Sequence, residues 1–503
     1  MSKHRSWRGR HWGTLAALVG SGAVCVASCS DDSTRKHVLI VDAGNEAAAG
    51  APDASGGAFG MPESSGGAAG APIEAGGAAG ESSAGAAGVS SAAGAAGSAS
   101  CADTCVTGGC VFDQCLPALT IANDINLSTT ALTVGRTCAE APAYSVLALS
   151  GSVVTLSDAP AAGCVSAGDE FLLINLQGTD AANANVGNWE LLRLGSAAGK
   201  ALTFSTPITG FYGNSANNNN NLGLAATNQR VALIRVPRFG HLIVNAGVTV
   251  TANAWDGVLG GVLVLRAGKL DLGGTLSAAA LGYRAARWSM DASTCSNNVP
   301  TEAGESIGGT GTASTLHNLG ASGGLSALNN VSFNSDNVVL STPGHAQAGV
   351  VGFNGKGRTI GEPGAAYGSA DATQLTLGSG PGGALECTTA PTAPTPYLYV
   401  GNGGQAGGIA FVLADDLKVA AGGAISASPP DAPRDITFSG GYVFVRGTTL
   451  ALGANRVTAL GSTGTVPLGP DVGMTNQASP GYVVLDAATV TGTTNPSAHW
   501  LGH

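Results

Sequence analysis

Three stretches of the chain place apolar and polar residues in one shared pattern. They are GGVLVLRAGKLDLGGTLSA from Gly260, GGIAFVLADDLKVAAGGAISA from Gly407 and GGYVFVRGTTLALGANRVTA from Gly440. Each opens on a glycine pair and an apolar run, and then carries apolar residues two apart: Leu270/Leu272, Leu417/Val419 and Leu450/Leu452. A small residue and a last apolar-x-Ala element follow. Residues two apart lie on the same side of a strand, and glycine between runs marks a tight bend. One such unit cannot bury its apolar side alone, so the units must stack. The pattern predicts an all-β chain with a parallel β-helix (solenoid) over residues 239–503. Leu270, Leu417 and Leu450 should form one inward ladder, with Lys269, Asp271, Asp416 and Lys418 pointing outward. HLIVNAGVTVTA, with Leu242/Val244 and Val248/Val250, reads as the first coil.

Upstream, residues 117–238 read as a small β module. FLLINL from Phe171, WELLRL from Trp189 and RVALIRV from Arg230 are short apolar runs between Gly, Asn and Ser. Asn217 to Asn221 reads as a polar loop. Between the coils at Gly260 and Gly407 lies a glycine-rich insertion, 279–406, expected to leave one edge of the solenoid as a large excursion.

Composition changes the picture at the N-terminus. The chain has 503 residues, 78 of them glycine, and only 11% are charged. Lys3, Arg5, Arg8 and Arg10 precede an apolar run from Thr14 to Val26, too short for a comfortable membrane span. The run ends in Val26-Ala27-Ser28-Cys29, which resembles the lipobox of bacterial lipoproteins. That resemblance implies cleavage after residue 28 and acylation of Cys29, with membrane contact through the lipid. Loss of residues 1–28 removes four of the 22 basic residues and none of the 32 acidic ones, so the formal charge moves from −10 to −14. With no basic cluster, nucleic acid is not expected as a partner.

Residues 29–100 are expected to be a disordered Gly/Ala/Ser tether, with near-repeats such as GGAAGAP and AGAAGVS. About sixty flexible residues span on the order of 40 Å. A tight cysteine staple follows at 101–116: Cys101, Cys105, Cys110 and Cys115. No CxxC pair or histidine accompanies them, so disulfides are expected rather than a metal, with three pairings open. Cys138 with Cys164 and Cys295 with Cys387 are the further pairings expected.

GDEFLLINLQG, VGNWELLRL, RVALIRVPRFGHLIVNAGVTVTANAWDGVLGGVLVL and ALGYR carry a family resemblance. Residues 165 to about 460 are similar to glycine-rich surface lipoproteins of myxobacteria and related bacteria. The resemblance implies a bacterial cell-envelope setting, at the outer membrane or cell surface, and brings no catalytic residues. Ala285-Ala286-Arg287-Trp288 departs from the long glycine tract those relatives carry after this element.

Enzyme signals are weak. Ser306 (GESIG) and Ser322 (GASGG) match G-x-S-x-G by chance frequency, without the strand and helix of a nucleophile elbow. His317 and His345 read as solvated. A lyase or glycosidase acting on extracellular polysaccharide needs clustered carboxylates. Asp415-Asp416 reads as exposed bend polarity, and Glu302, Glu305 and Glu362 show no matching basic cluster. Arg266 and Arg446 share a coil register and together could bind a sulfate or carboxylate of a glycan, although a surface-solvating role is the favoured reading. The expected function is therefore non-enzymatic, without a cofactor: adhesion, matrix contact or structural display toward polysaccharide or surface proteins. The polysaccharide-active enzyme is the alternative.

Overall fold

The computed structural model describes residues 109–111, 114–286, 303–310, 319–321, 341–351, 362–382, 384–389, 394–399, 404–431, 436–465 and 475–502. Cys29, Cys101, Cys105, Cys295, His317, Ser322 and Glu302 lie outside them, as does the side chain of Cys387. Every regular element among the described residues is a strand.

The repeat folds as a curled parallel sheet. Six layers stack in register: 118–126, 238–251, 262–277, 409–426, 442–458 and 482–495. Each middle layer runs along one side, bends near Gly268 or Gly447, continues along a second side, and turns into a short third strand such as Thr275–Ser277 or Ala424–Ser426. The expected register is present. Leu242, Leu270, Leu417 and Leu450 are successive partners, each fully buried. Val250, Leu276, Ile425 and Val457 form another buried ladder on the short strands. Lys269, Asp416 and Lys418 are exposed and Asp271 half-buried.

The β module is a closed antiparallel barrel. Its strand order is Arg230–Val236, Ala143–Ser150, Val153–Leu156, Ala201–Phe204, Trp189–Ala198 and Glu170–Gln177, which pairs back to the first. Alternation explains why its apolar runs look continuous. Phe171, Leu173, Val231 and Leu233 fill the barrel, while Leu172, Ile174, Ala232 and Ile234 join the core of the parallel sheet. Strands buried on both faces lose the polar half of the usual alternation. Trp189 is the clearest contact between the two bodies, meeting Phe411 at 5.0 Å and Phe444 at 5.6 Å between ring centroids. The Ala118–Ile121 strand precedes the barrel in sequence but pairs with Arg238–Val244 in the parallel sheet.

Glycine-rich segments pack beside the curled sheet. They form neither strand nor helix, yet they hydrogen-bond layer to layer. Gly282 N donates to Ala406 O at 2.8 Å, Gly378 N to Gly407 O at 2.8 Å, Gly407 N to Ser439 O at 3.0 Å and Gly440 N to Ser479 O at 3.0 Å. Parts of the 279–406 insertion, among them 281–285, 343–346 and 375–380, belong to this packing rather than to an excursion, while Val350 and Val351 stay exposed. Leu375, Leu377 and Ser379 are fully buried, and the Ser379 hydroxyl lies between the carbonyl oxygens of Gly320 and Gly344, 2.6 and 2.5 Å from Oγ, with one proton to share between them. Chains without a Cβ approach closely enough to pair backbone with backbone, so glycine-rich sequence packs here instead of looping out.

Cys138 and Cys164 form a disulfide, as expected, with Cα atoms 5.5 Å apart. Cys115 is disulfide-bonded as well, and Cys110 is its Cα partner across the hairpin of Gly109–Val111 and Gln114–Leu116.

Candidate functional site

Arg266 and Arg446 lie in one column of the sheet, with Leu413 between them. The column runs along the rim where the barrel rests on the sheet, and a carboxylate meets each guanidinium. Arg266 grips Glu170 with two hydrogen bonds, 2.7 Å from Nε and 2.8 Å from Nη2. Arg446 Nε donates to Asp486 at 2.6 Å, and its guanidinium lies over Phe444 at 5.3 Å and Trp189 at 6.0 Å. Paired charges at such a junction fix geometry, and a guanidinium already bidentate on a carboxylate has its strongest donors committed. The Arg266–Glu170 pair thus ties sheet to barrel.

A second ionic cluster closes one end of the barrel. Asp169 accepts from Arg136 at 2.7 and 3.3 Å and from the Ser166 amide at 2.9 Å. Arg235 stands 3.4 Å from Asp169 and 3.5 Å from Glu140. Glu140 Oε1 accepts from the amides of Leu132 and Thr133 at 2.8 and 2.6 Å. All three interior members, Glu140, Asp169 and Arg235, are at most 4% exposed. Burial lowers the Arg235 pKa, and the nearby Asp169 partly offsets it. Sequence reasoning singled out none of these residues, because partners drawn from 136, 140, 169 and 235 leave no local motif.

The AWDG, GYR and FLLINLQ elements meet on one carboxylate. Glu305, read from sequence as lacking a basic partner, is 3% exposed and faces Arg284. Its Oε1 accepts from Trp255 Nε1 at 3.0 Å, Gln177 Nε2 at 3.1 Å and Arg284 Nη2 at 3.0 Å. Its Oε2 accepts from the Arg284 amide at 3.1 Å and Arg284 Nε at 2.8 Å. Trp255 belongs to the AWDG element, Arg284 to GYR and Gln177 to the barrel strand. The Trp255 and Tyr283 rings cross edge to face at 6.0 Å. The Glu305 hydrogen bond holds the Arg284 pKa up. A carboxylate so surrounded is a clamp between barrel, sheet and insertion, because no lone pair is left directed at a substrate.

Ser306, next to it, is fully buried on a two-residue strand opposite Gly309–Thr310. Its Oγ accepts from the Gly308 amide at 3.2 Å. This is a tight hairpin rather than a strand-to-helix elbow. Asp415 and Asp416 are exposed, and so is Glu362. The Asn217–Asn221 loop is bonded to the chain on either side of it: Asn219 Oδ1 accepts from the Tyr212 amide at 2.7 Å, and Asn221 Nδ2 donates to Thr227 O at 2.8 Å. Among the described residues, no three His, Cys, Asp or Glu side chains gather in a metal-holding group.

His345 is the largest departure from the sequence reading: it is fully buried rather than solvated. Nδ1 lies 2.6 Å from Gly440 O and Nε2 2.8 Å from Thr376 Oγ1. The carbonyl can only accept, so Nδ1 carries the proton and Nε2 accepts from the threonine hydroxyl. Tyr367 and Tyr482 flank the ring at 4.7 and 5.3 Å. Burial pushes the pKa down to about 4, against a smaller upward pull from the Gly440 hydrogen bond. In the unfolded chain the group titrates near ~6.5. Stability should therefore fall as pH drops from about 6.5 to about 4, by about 3 kcal/mol, and lose nothing further from this group below that. Denaturant melts across this range should show the loss in the wild type. The corresponding component should be missing in His345→Gln.

No known protein family, no curated sequence and no solved structure matches the chain.

Proposed function

We propose that the chain is a lipid-anchored protein of the bacterial cell envelope whose folded body serves adhesion, matrix contact or structural display without catalysis. On this reading the curled sheet with its glycine-packed side is a parallel β-helix of six layers. Cys29 carries the lipid, residues 29–100 hold the body off the membrane, and the resemblance to glycine-rich surface lipoproteins gives the setting.

One observation carries the non-catalytic reading. Among the described residues, the side chains best suited to chemistry (Glu140, Asp169, Glu170, Glu305 and His345) are buried in internal hydrogen bonds and ion pairs. What the sheet presents to solvent is a polar, regularly spaced face. Acid–base work on a glycan needs two carboxylates facing a shared space, and here each of the buried carboxylates faces a guanidinium or backbone amides.

Two measurements test the proposal. Cells expressing the full chain should hold it in the membrane fraction and incorporate labelled fatty acid, and Cys29→Ala should abolish the label and release the protein. Equal label in both would end the lipoprotein reading. Purified full chain incubated with extracellular polysaccharide should bind it, or bind cells, without generating new reducing ends or unsaturated products. Appearance of such products would move the assignment to the lyase or glycosidase class.

A further inference from the structure

We propose that the exposed side of the parallel sheet is an interface for a second copy of this chain. At the centre of that side the middle layers carry four charges in a checkerboard. Lys269 and Asp271 lie two apart on one strand, and Asp416 and Lys418 two apart on the next. Lys269 is the Cα partner of Asp416, and Asp271 that of Lys418. Lys269 and Asp271 remain 46% and 32% exposed even though they contact each other at 3.3 Å.

A checkerboard of this kind is self-complementary. Consider a two-fold axis lying in the face, parallel to the strands and midway between the third and fourth layers. Rotation about it brings a second face against the first with the layer order reversed. Each Lys269 then meets the Asp416 of the copy, and each Asp271 meets its Lys418. The flanking positions agree. The second layer meets the fifth, setting His241 against Thr449 and Ile243 against Ala451, and the six layers leave three on each side of the axis. No like charges among these positions are brought together. A two-fold interface requires one patch to fit itself, and this patch does so through charge.

The face is small. Six strands about 4.8 Å apart and a width of about four residues give on the order of 300 Å² per copy, below a standard stable interface. The pairing is therefore weak between free molecules and becomes effective where many copies are held together, as avidity requires. The pairing does not rest on the anchoring reading.

The test uses the full-length chain held by its N-terminus at high density on beads of two colours. Wild-type beads should clump. Lys269→Glu beads should not clump with themselves, because the introduced carboxylate would face Asp416 of the copy, and Asp416→Lys beads should fail likewise. Each should reduce clumping on the order of tenfold or more. Mixed together, the two single variants should clump, since every facing pair is then opposite in sign. The double variant K269E/D416K should clump with itself and sort away from wild type, which also shows that the exchanged residues leave the fold intact. Wild-type beads that stay apart, single variants that clump like wild type, or a double variant that mixes freely with wild type would each overturn the proposal.

Discussion

Replacing Gly407 by alanine should destabilise the folded chain by about 4 kcal/mol, while Gly422→Ala should stay within about 0.5 kcal/mol. A Cβ on Gly407 would stand 1.9 Å from Ala427 O and 2.2 Å from Gly441 N. Both neighbours are backbone, so no side chain can turn away to make room. The segments would have to part, loosening the bond from Gly407 N to Ser439 O and the one Gly407 O accepts from Gly378 N. Losing buried backbone partners carries the desolvation cost of each group. At Gly422 the nearest atom to an added Cβ is Gly273 O at 3.5 Å, an ordinary contact. Paired denaturant melts of the full chain would measure both changes. Equal losses would mean that the glycine segments are not packed as described.

Leu417→Ala should cost about 2–5 kcal/mol and its neighbour Lys418→Ala no more than about 0.5 kcal/mol. Leu417 sits within its own column, in register with Leu270 on one side and Leu450 on the other, and has no access to water. Truncation there leaves a void bounded by strands that are hydrogen-bonded on both sides and so cannot collapse inward. Lys418 points to solvent from the next position. The same melts decide the matter: a Lys418→Ala loss as large as that of Leu417→Ala would reverse the register of the whole stack, since a slip of one residue exchanges the two faces.

The ladders were legible because their cause is local. A period of two between glycine bends is written into each repeat, and Leu270, Leu417 and Leu450 stand where that period places them. The sixth layer, 482–495, is hard to read because AATVTGTTN keeps only Val490 in the leucine column and places Thr494 opposite Val457. The first layer, 118–126, reads as part of the β module because nothing in its few residues says that its partner lies beyond a whole barrel. Barrel closure was equally silent: FLLINL looks the same whether a strand is buried once or twice. The ionic clamps escaped for a further reason. Glu305 lies in a glycine-rich stretch and meets Arg284, Trp255 and Gln177 only through the fold, and glycine-rich surroundings gave His345 the appearance of a loop residue. Sequence composition cannot distinguish glycine that bends away from glycine that lets backbones touch.

The placement of the barrel between the first and second layers bears on how the chain reaches its folded state. Thr249 N donates to Asp124 across 125 positions, so the first layer has no partner until the barrel and the strand after it have been made. Closing so long a loop is entropically unfavourable unless the intervening chain has already drawn its ends together. A barrel that folds on its own strands does this, delivering Arg238 beside the waiting first layer. The expected order is barrel, then second layer onto first, then each later layer upon the one before. With contacts so distant in sequence, the early pairing is the slow event and the later layers are quick additions.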